Sequence, residues 1–178
     1  NFFEANLNLG NAYTLKNDIN NAIKFYQKAI LINPKSSLAL NNLGSAFKSL
    51  KKYKEAKDCF LKSIQFDPSL ISAYNNLGNL YNKIFHYNDA LIYYKKYINA
   101  KPSDYSAFYN LAKLYYNMAD FSSALKACKR CIEINNNFSK GHYLFGIIYC
   151  ALNDMDSSIT SFKNCIRIDS SLPEAHIA

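Results

Sequence analysis

Several things are missing from this chain. It has no apolar run approaching the roughly 18 residues of a membrane span, and no charged-then-apolar leader of the secretory kind. Glycine and proline are scarce, with five and four among 178 residues, and no Gly/Pro/Ser-rich tract marks a linker. One unit spanning 1–178 is therefore expected. There is no glycine-rich phosphate loop and no HExxH motif. Five cysteines, an odd number at irregular spacing, argue against a disulfide framework. They favour a reducing, intracellular compartment, cytoplasmic or nuclear. The chain opens on Asn1 rather than methionine, which reads as a piece of a longer protein.

What is present is a ruler. Gly10, Gly44, Gly78 and Gly146 fall on a 34-residue spacing, and Ala112 fills the missing mark. With each as position 8, the repeats are 3–36, 37–70, 71–104, 105–138 and 139–172, and a partial sixth spans 173–178. Position 7 reads Leu9, Leu43, Leu77, Leu111, Phe145, and position 11 reads Tyr13, Phe47, Tyr81, Tyr115, Tyr149. Position 20 reads Ala22, Ala56, Ala90, Ala124, Ser158, and position 24 reads Tyr26, Phe60, Tyr94, Cys128, Phe162. Pro34, Pro68 and Pro102 hold position 32, where Asn136 and Ser170 later replace proline.

Residues three and four apart share a helix face, so positions 4, 7, 8 and 11 line one side of a first helix. A small residue at 8 facing a small one at 20 lets two helices approach closely, with large residues at 7, 11 and 24 around them. Proline at 32 stops the second helix. Helix A is expected over positions 2–14 and helix B over 17–30, with Asn88, Ser122 and Asp156 at position 18 capping helix B.

A fixed period of about 34 residues with these residue types resembles the tetratricopeptide repeat (TPR) family. The resemblance implies an all-α, right-handed superhelical solenoid of antiparallel helix pairs. It also implies a concave groove lined by helix A at positions 2, 5, 6, 9, 12 and 13, and a role in protein binding rather than catalysis.

On those positions asparagine recurs. Position 6 reads Asn8, Asn42, Asn76, Asn110 and then Leu144; Asn41 and Asn75 stand at 5, Asn11 and Asn79 at 9, and Asn82 and Asn117 at 12 and 13. Asparagine is a poor helix former, so its recurrence asks for a reason. A carboxamide offers an acceptor and two donors, enough to bond both C=O and N–H of an extended peptide. Such a row is similar to the asparagine ladder of the TPR arm in O-linked N-acetylglucosamine transferases. The competing reading is compositional bias, because asparagine is abundant throughout. Further along, the groove positions turn aromatic and apolar, with Tyr109, Tyr116, Tyr143, Leu144 and Ile147, and Lys113 joins them as a groove residue. The predicted ligand is backbone-read at one end and hydrophobic at the other.

The two-carboxylate clamp of chaperone-binding relatives does not transfer. Its cation positions are filled here by Leu7, Ser72 and Asn76, or by Asn41, Ser106 and Asn110 one repeat later. Only Glu4 among the acids falls on a groove position, so no carboxylate pair is available for acid–base work. Cys128-x-x-Cys131 suggests a zinc or redox pair, but positions 24 and 27 are packing positions and Cys165 repeats position 27. Neither Cys150 nor His142 is placed to complete a tetrahedral site. No metal, cofactor or catalytic residue is expected, and His142 is read as core.

The net charge is +8, concentrated around Lys48, Lys51, Lys52, Lys54, Lys57 and Lys62. A solvated outer face is the simpler reading, and steering of acidic partners is the alternative. No nucleic acid is expected, because the basic residues do not interleave with aromatics along one groove. The expected function is an adaptor that binds an extended segment of a partner protein. The alternatives are the docking arm of a larger enzyme, or a structural subunit of an assembly such as a ubiquitin ligase or a ciliary transport complex. A chain that stops just into a sixth repeat is expected either to continue or to self-associate through its open end.

Overall fold

The structure is a computed structural model and describes residues 2–171. Pro173–Ala178, the expected start of a sixth repeat, lie outside the described residues, and so does His176. Ten helices and no strands occur among the described residues. They are α1 (Phe2–Leu15), α2 (Ile19–Ile32), α3 (Ser37–Ser49), α4 (Tyr53–Phe66), α5 (Ile71–Lys83), α6 (Tyr87–Ala100), α7 (Tyr105–Asn117), α8 (Phe121–Ile134), α9 (Ser139–Ala151) and α10 (Met155–Ile168). Odd-numbered helices are helix A of a repeat and even-numbered ones helix B.

By contact the chain divides into two compact units, Asn1–Tyr93 and Tyr94–Ala178, with the boundary inside α6. In the first, α1 packs on α2, α2 on α3, α3 on α4 and α4 on α5. In the second, α7 packs on α8, α8 on α9 and α9 on α10.

The turn inside each repeat has one geometry. Position 15 is left-handed in all five copies: Asn17 (φ 60°), Lys51 (59°), Phe85 (63°), Ala119 (58°) and Asn153 (60°). Asparagine tolerates that region, while lysine, phenylalanine and alanine are strained there. In the first, fourth and fifth repeats the side-chain cap of helix B sits at position 16, two residues before the expected Ser122 and Asp156, while Asn88 lies inside α6 and Lys52 makes no cap bond. Asp18 accepts from the Asn21 N–H, Asp120 from Ser123 and Asp154 from Ser157, at 3.2, 3.0 and 3.1 Å. The reason is geometric: a capping oxygen belongs to the residue preceding the first helical turn, and position 18 is already inside it.

The turn between repeats explains how proline is dispensed with. The position 31 side chains of Asn33, Asp67, Asn135 and Asp169 each accept the N–H two residues on. This local turn forms whether or not proline follows at 32.

The small residue at position 8 is required by the ring at 24. A Cβ on Gly44 would lie 2.7 Å from the Phe60 ring, one on Gly146 2.6 Å from Phe162, and one on Gly10 would collide with Tyr26. Position 20 meets position 8 through the backbone instead. The Ser158 hydroxyl donates to the Gly146 carbonyl at 2.9 Å, which is how serine replaces alanine there without leaving a buried hydroxyl unsatisfied. In the fourth repeat Cys128 takes the place of the ring and Ala112 the place of glycine, and both are fully buried.

Candidate functional site: an amide surface on helix A

In the first unit the asparagines of α1, α3 and α5 bond to one another. Asn11 Oδ1 accepts from the Tyr26 hydroxyl at 2.9 Å and from Asn42 Nδ2 at 3.0 Å. Asn41 Nδ2 reaches Asn42 Oδ1 at 3.5 Å. Asn76 Nδ2 donates to Asn41 Oδ1 at 2.9 Å and to Ser45 Oγ at 3.3 Å. The chain of amides crosses from repeat to repeat and fixes the rotamers of its members. Asn41 is buried and spent inside the fold. Asn11, Asn42, Asn75, Asn76 and Asn79 are half-buried, and Asn8 is exposed. Asn75 Oδ1 is buried and has no hydrogen-bond partner among the described residues.

Beside this network lies a hollow of about 310 Å³ lined by Asn11, Thr14, Leu15, Tyr26, Asn42 and Ser45. Tyr26 and Thr14 were not among the residues expected here. Thr14 Oγ1 lies 3.0 Å from the Tyr26 hydroxyl and donates to the Gly10 carbonyl at 2.9 Å. The signal was available: tyrosine rather than phenylalanine at position 24 carries a hydroxyl that must find a partner when buried.

In the second unit the expected aromatic contacts are engaged with neighbours. The Tyr109 ring meets Phe138 edge-on at 5.2 Å, with Lys113 Nζ 5.5 Å from its centre. Tyr116 leans on Phe121 at 5.6 Å and Tyr143 on Phe162 at 5.7 Å. All three rings and Asn110 are half-buried, Lys113 is exposed, and Leu144 is buried in the core.

The remaining candidates pack. Cys128 and Cys131 are fully buried. Burial pushes the Cys128 thiol well above its ordinary range and the Cys131 thiol to about 12, and Cys128 Sγ lies 3.3 Å from the Gly141 carbonyl. His142 is buried, with Nε2 2.9 Å from the Asn136 carbonyl, so that nitrogen carries the proton. Among the described residues no three His, Cys, Asp or Glu side chains gather to hold a metal ion. No helix there is long and apolar enough to cross a membrane. Of the lysine cluster, Lys51, Lys52, Lys54 and Lys62 are exposed, while burial of Lys48 lowers its pKa.

Helix pairs in a 34-residue register, with a glycine under a ring in the first, second and fifth pairs and an amide face on helix A of the first unit, define an all-α repeat protein. The tetratricopeptide repeat family model matches residues 3–36 and 37–70, and the model of the anaphase-promoting complex, cyclosome, subunit 3 matches residues 83–165. The chain belongs to the tetratricopeptide repeat family. No curated protein matches at a significant level. Solved structures share the fold. MamA (41-end) from Desulfovibrio magneticus RS-1 is 18% identical, with a TM-score of 0.88 over 97% of this chain and 98% of that one. YrrB, a TPR protein with an unusual peptide-binding site, is 21% identical, with a TM-score of 0.79 over 97% and 89%. PilW, a type IV pilus biogenesis factor, is 19% identical, with a TM-score of 0.88 over 96% and 79%.

Proposed function

We propose that the chain is a protein-interaction module that holds an extended partner segment on the helix-A amide surface of its first unit. The observation that carries this reading is the unspent bonding capacity of Asn11. Its Oδ1 accepts two hydrogen bonds, while neither of its N–H donors is bonded among the described residues. Asn76 likewise donates and leaves Oδ1 open. A row of fixed amides with free donors and acceptors matches the alternating C=O and N–H of an extended backbone. Preorganisation by the Asn–Asn bonds reduces the entropy lost on binding. Exposed Asn8 extends the row. The peptide-binding site named for YrrB supports the class of ligand.

The test is Asn11→Asp. Aspartate keeps the oxygen that Tyr26 and Asn42 need and removes both donors. Against a panel of unstructured peptides and their backbone N-methylated counterparts, the wild-type chain should select the unmethylated forms. Asn11→Asp should weaken the selected peptides about tenfold, roughly 1.4 kcal/mol, with an unchanged melting temperature. Equal binding of methylated peptides, or no effect of Asn11→Asp, would sink the reading. A second reading, a structural subunit of a multiprotein assembly, is favoured by the match of residues 83–165 to the anaphase-promoting complex subunit model. It predicts that the protein purifies from cells only within a large complex.

A further inference from the structure

Positions 11 and 23 face each other within a repeat, and two repeats fill the space with the chain's own rings. Tyr13 and Phe25 stack at 5.3 Å and 8°, and Tyr81 and Tyr93 at 5.5 Å and 4°. In the first repeat a cation completes the arrangement: Lys28, at position 26, holds Nζ 4.9 Å from the centre of the Phe25 ring. The fourth repeat has the same tyrosine and a cation at the same positions but no ring between them. Position 11 is Tyr115, position 26 is Arg130, and position 23 is only Ala127. The result is a hollow of about 270 Å³ whose lining includes Phe108, Leu111, Tyr115, Ala127, Lys126 and Arg130.

We propose that this hollow receives an aromatic side chain from a partner segment flanked by carboxylates. The inserted ring takes the place that Phe25 and Tyr93 occupy in their own repeats, stacked on Tyr115 and covered by Arg130. Two physical arguments support the occupant. A cavity of about 150 Å³ lined by apolar side chains already holds a benzene ring, so there is room. A ring between an aromatic face and a guanidinium gains both stacking and cation–π attraction. The flanking charge follows from Lys126 and Arg130, both exposed. Arg130 Nη1 contacts Glu133 at 3.2 Å, an exposed pair that a stronger carboxylate contact displaces cheaply. The corresponding hollow of the fifth repeat, about 350 Å³, has Asn164 at position 26 and Asp156 in its wall, with no Lys or Arg lining it. Charge therefore favours the fourth repeat over the fifth for this ligand.

The experiment uses the full chain and three short capped peptides as probes: Asp-Asp-Phe-Asp-Asp, the same with alanine for phenylalanine, and Lys-Lys-Phe-Lys-Lys. NMR titration should show the first perturbing signals of Tyr115, Ala127 and Lys126, and the other two binding at least about tenfold more weakly. Ala127→Phe supplies the ring from within and should abolish the perturbation at Tyr115. If that variant fails to fold, the pair Lys126→Glu and Arg130→Glu, at exposed sites, keeps the proposal testable. It should reverse the preference toward the lysine-flanked peptide. No shift at Tyr115 with the first peptide overturns the proposal, as does equal binding by a folded Ala127→Phe or an unreversed charge preference.

Discussion

Gly44 lies under the ring of Phe60, so close that a methyl group on its Cα would stand 2.7 Å from the ring edge. The ring is fully buried, with no solvent side to swing toward. Gly44→Ala should therefore destabilise the chain by about 1–3 kcal/mol through overpacking, against the roughly 1 kcal/mol that alanine ordinarily gains over glycine in a helix. Chemical denaturation checks the sign. Stabilisation by the alanine would mean that the ring relaxes freely.

The Ala112 and Cys128 pair makes the complementary case. Cys128→Phe alone should be destabilising, because Ala112 occupies the space that glycine leaves under the ring elsewhere. Adding Ala112→Gly should recover part of the loss. A double-mutant cycle should give a coupling of about 0.5–3 kcal/mol, and strict additivity would show that the two positions do not share the space.

Phe85 carries a left-handed backbone at φ 63° and is 76% exposed. Asn17 and Asn153 occupy the same position at lower conformational cost. Phe85→Asn should raise stability by up to about 1 kcal/mol, less the edge contact of the ring with Tyr87. For a chain of this length that is a rise of roughly 2–4 °C in melting temperature, and calorimetry reads it directly.

Acid should destabilise the protein. The carboxyls of Asp18, Asp67, Asp120 and Asp169 are held below their ordinary range by side-chain and then backbone hydrogen bonds from the residues two or three further on. At Asp104 burial opposes ionisation, but the bonds from Ser106 and from the Tyr97 hydroxyl at 2.6 Å outweigh it. A folded pKa below the unfolded value of about 3.9 contributes stability that is complete above that value. That stability is lost as pH falls through the folded values. Melting temperature should be level from neutral pH down to about 5 and fall below about 4. Asp120→Asn should flatten part of that fall.

Cys128 and Cys131 should be inert to thiol reagents in the native state at about pH 8, because the thiolate is the reactive form and burial holds both thiols protonated. In denaturant both should react at once. Rapid native labelling of either, read by mass spectrometry, would show that the helix pair opens far more often than its packing implies.

The helix spans and the buried fate of His142 and the Cys128/Cys131 pair are legible in the sequence. All follow from residue type at a fixed period. The helix B caps were misplaced by two residues because Ser122 and Asp156 are as good cap formers as Asp120 and Asp154. Only the backbone path through position 15 decides which side chain reaches the first turn. The glycine ruler is visible in the sequence; that the ring at position 24 lies directly over the glycine is not, since spacing along two helices does not say which side chains overlap between them.

The asparagines divide the two kinds of knowledge most sharply. Their recurrence on one face of helix A follows from 34-residue arithmetic and helical periodicity alone. Which amide bonds which was decided by the packing of successive repeats. That packing brought Asn42 to Asn11 and Asn76 to Asn41. A hydrogen bond needs two groups within about 3 Å and aligned, and residues more than thirty apart meet that condition only once the helices between them are packed. For the same reason the open face of Tyr115 is a tertiary fact. The sequence names Ala127, and only the folded repeat leaves it opposite an uncovered ring.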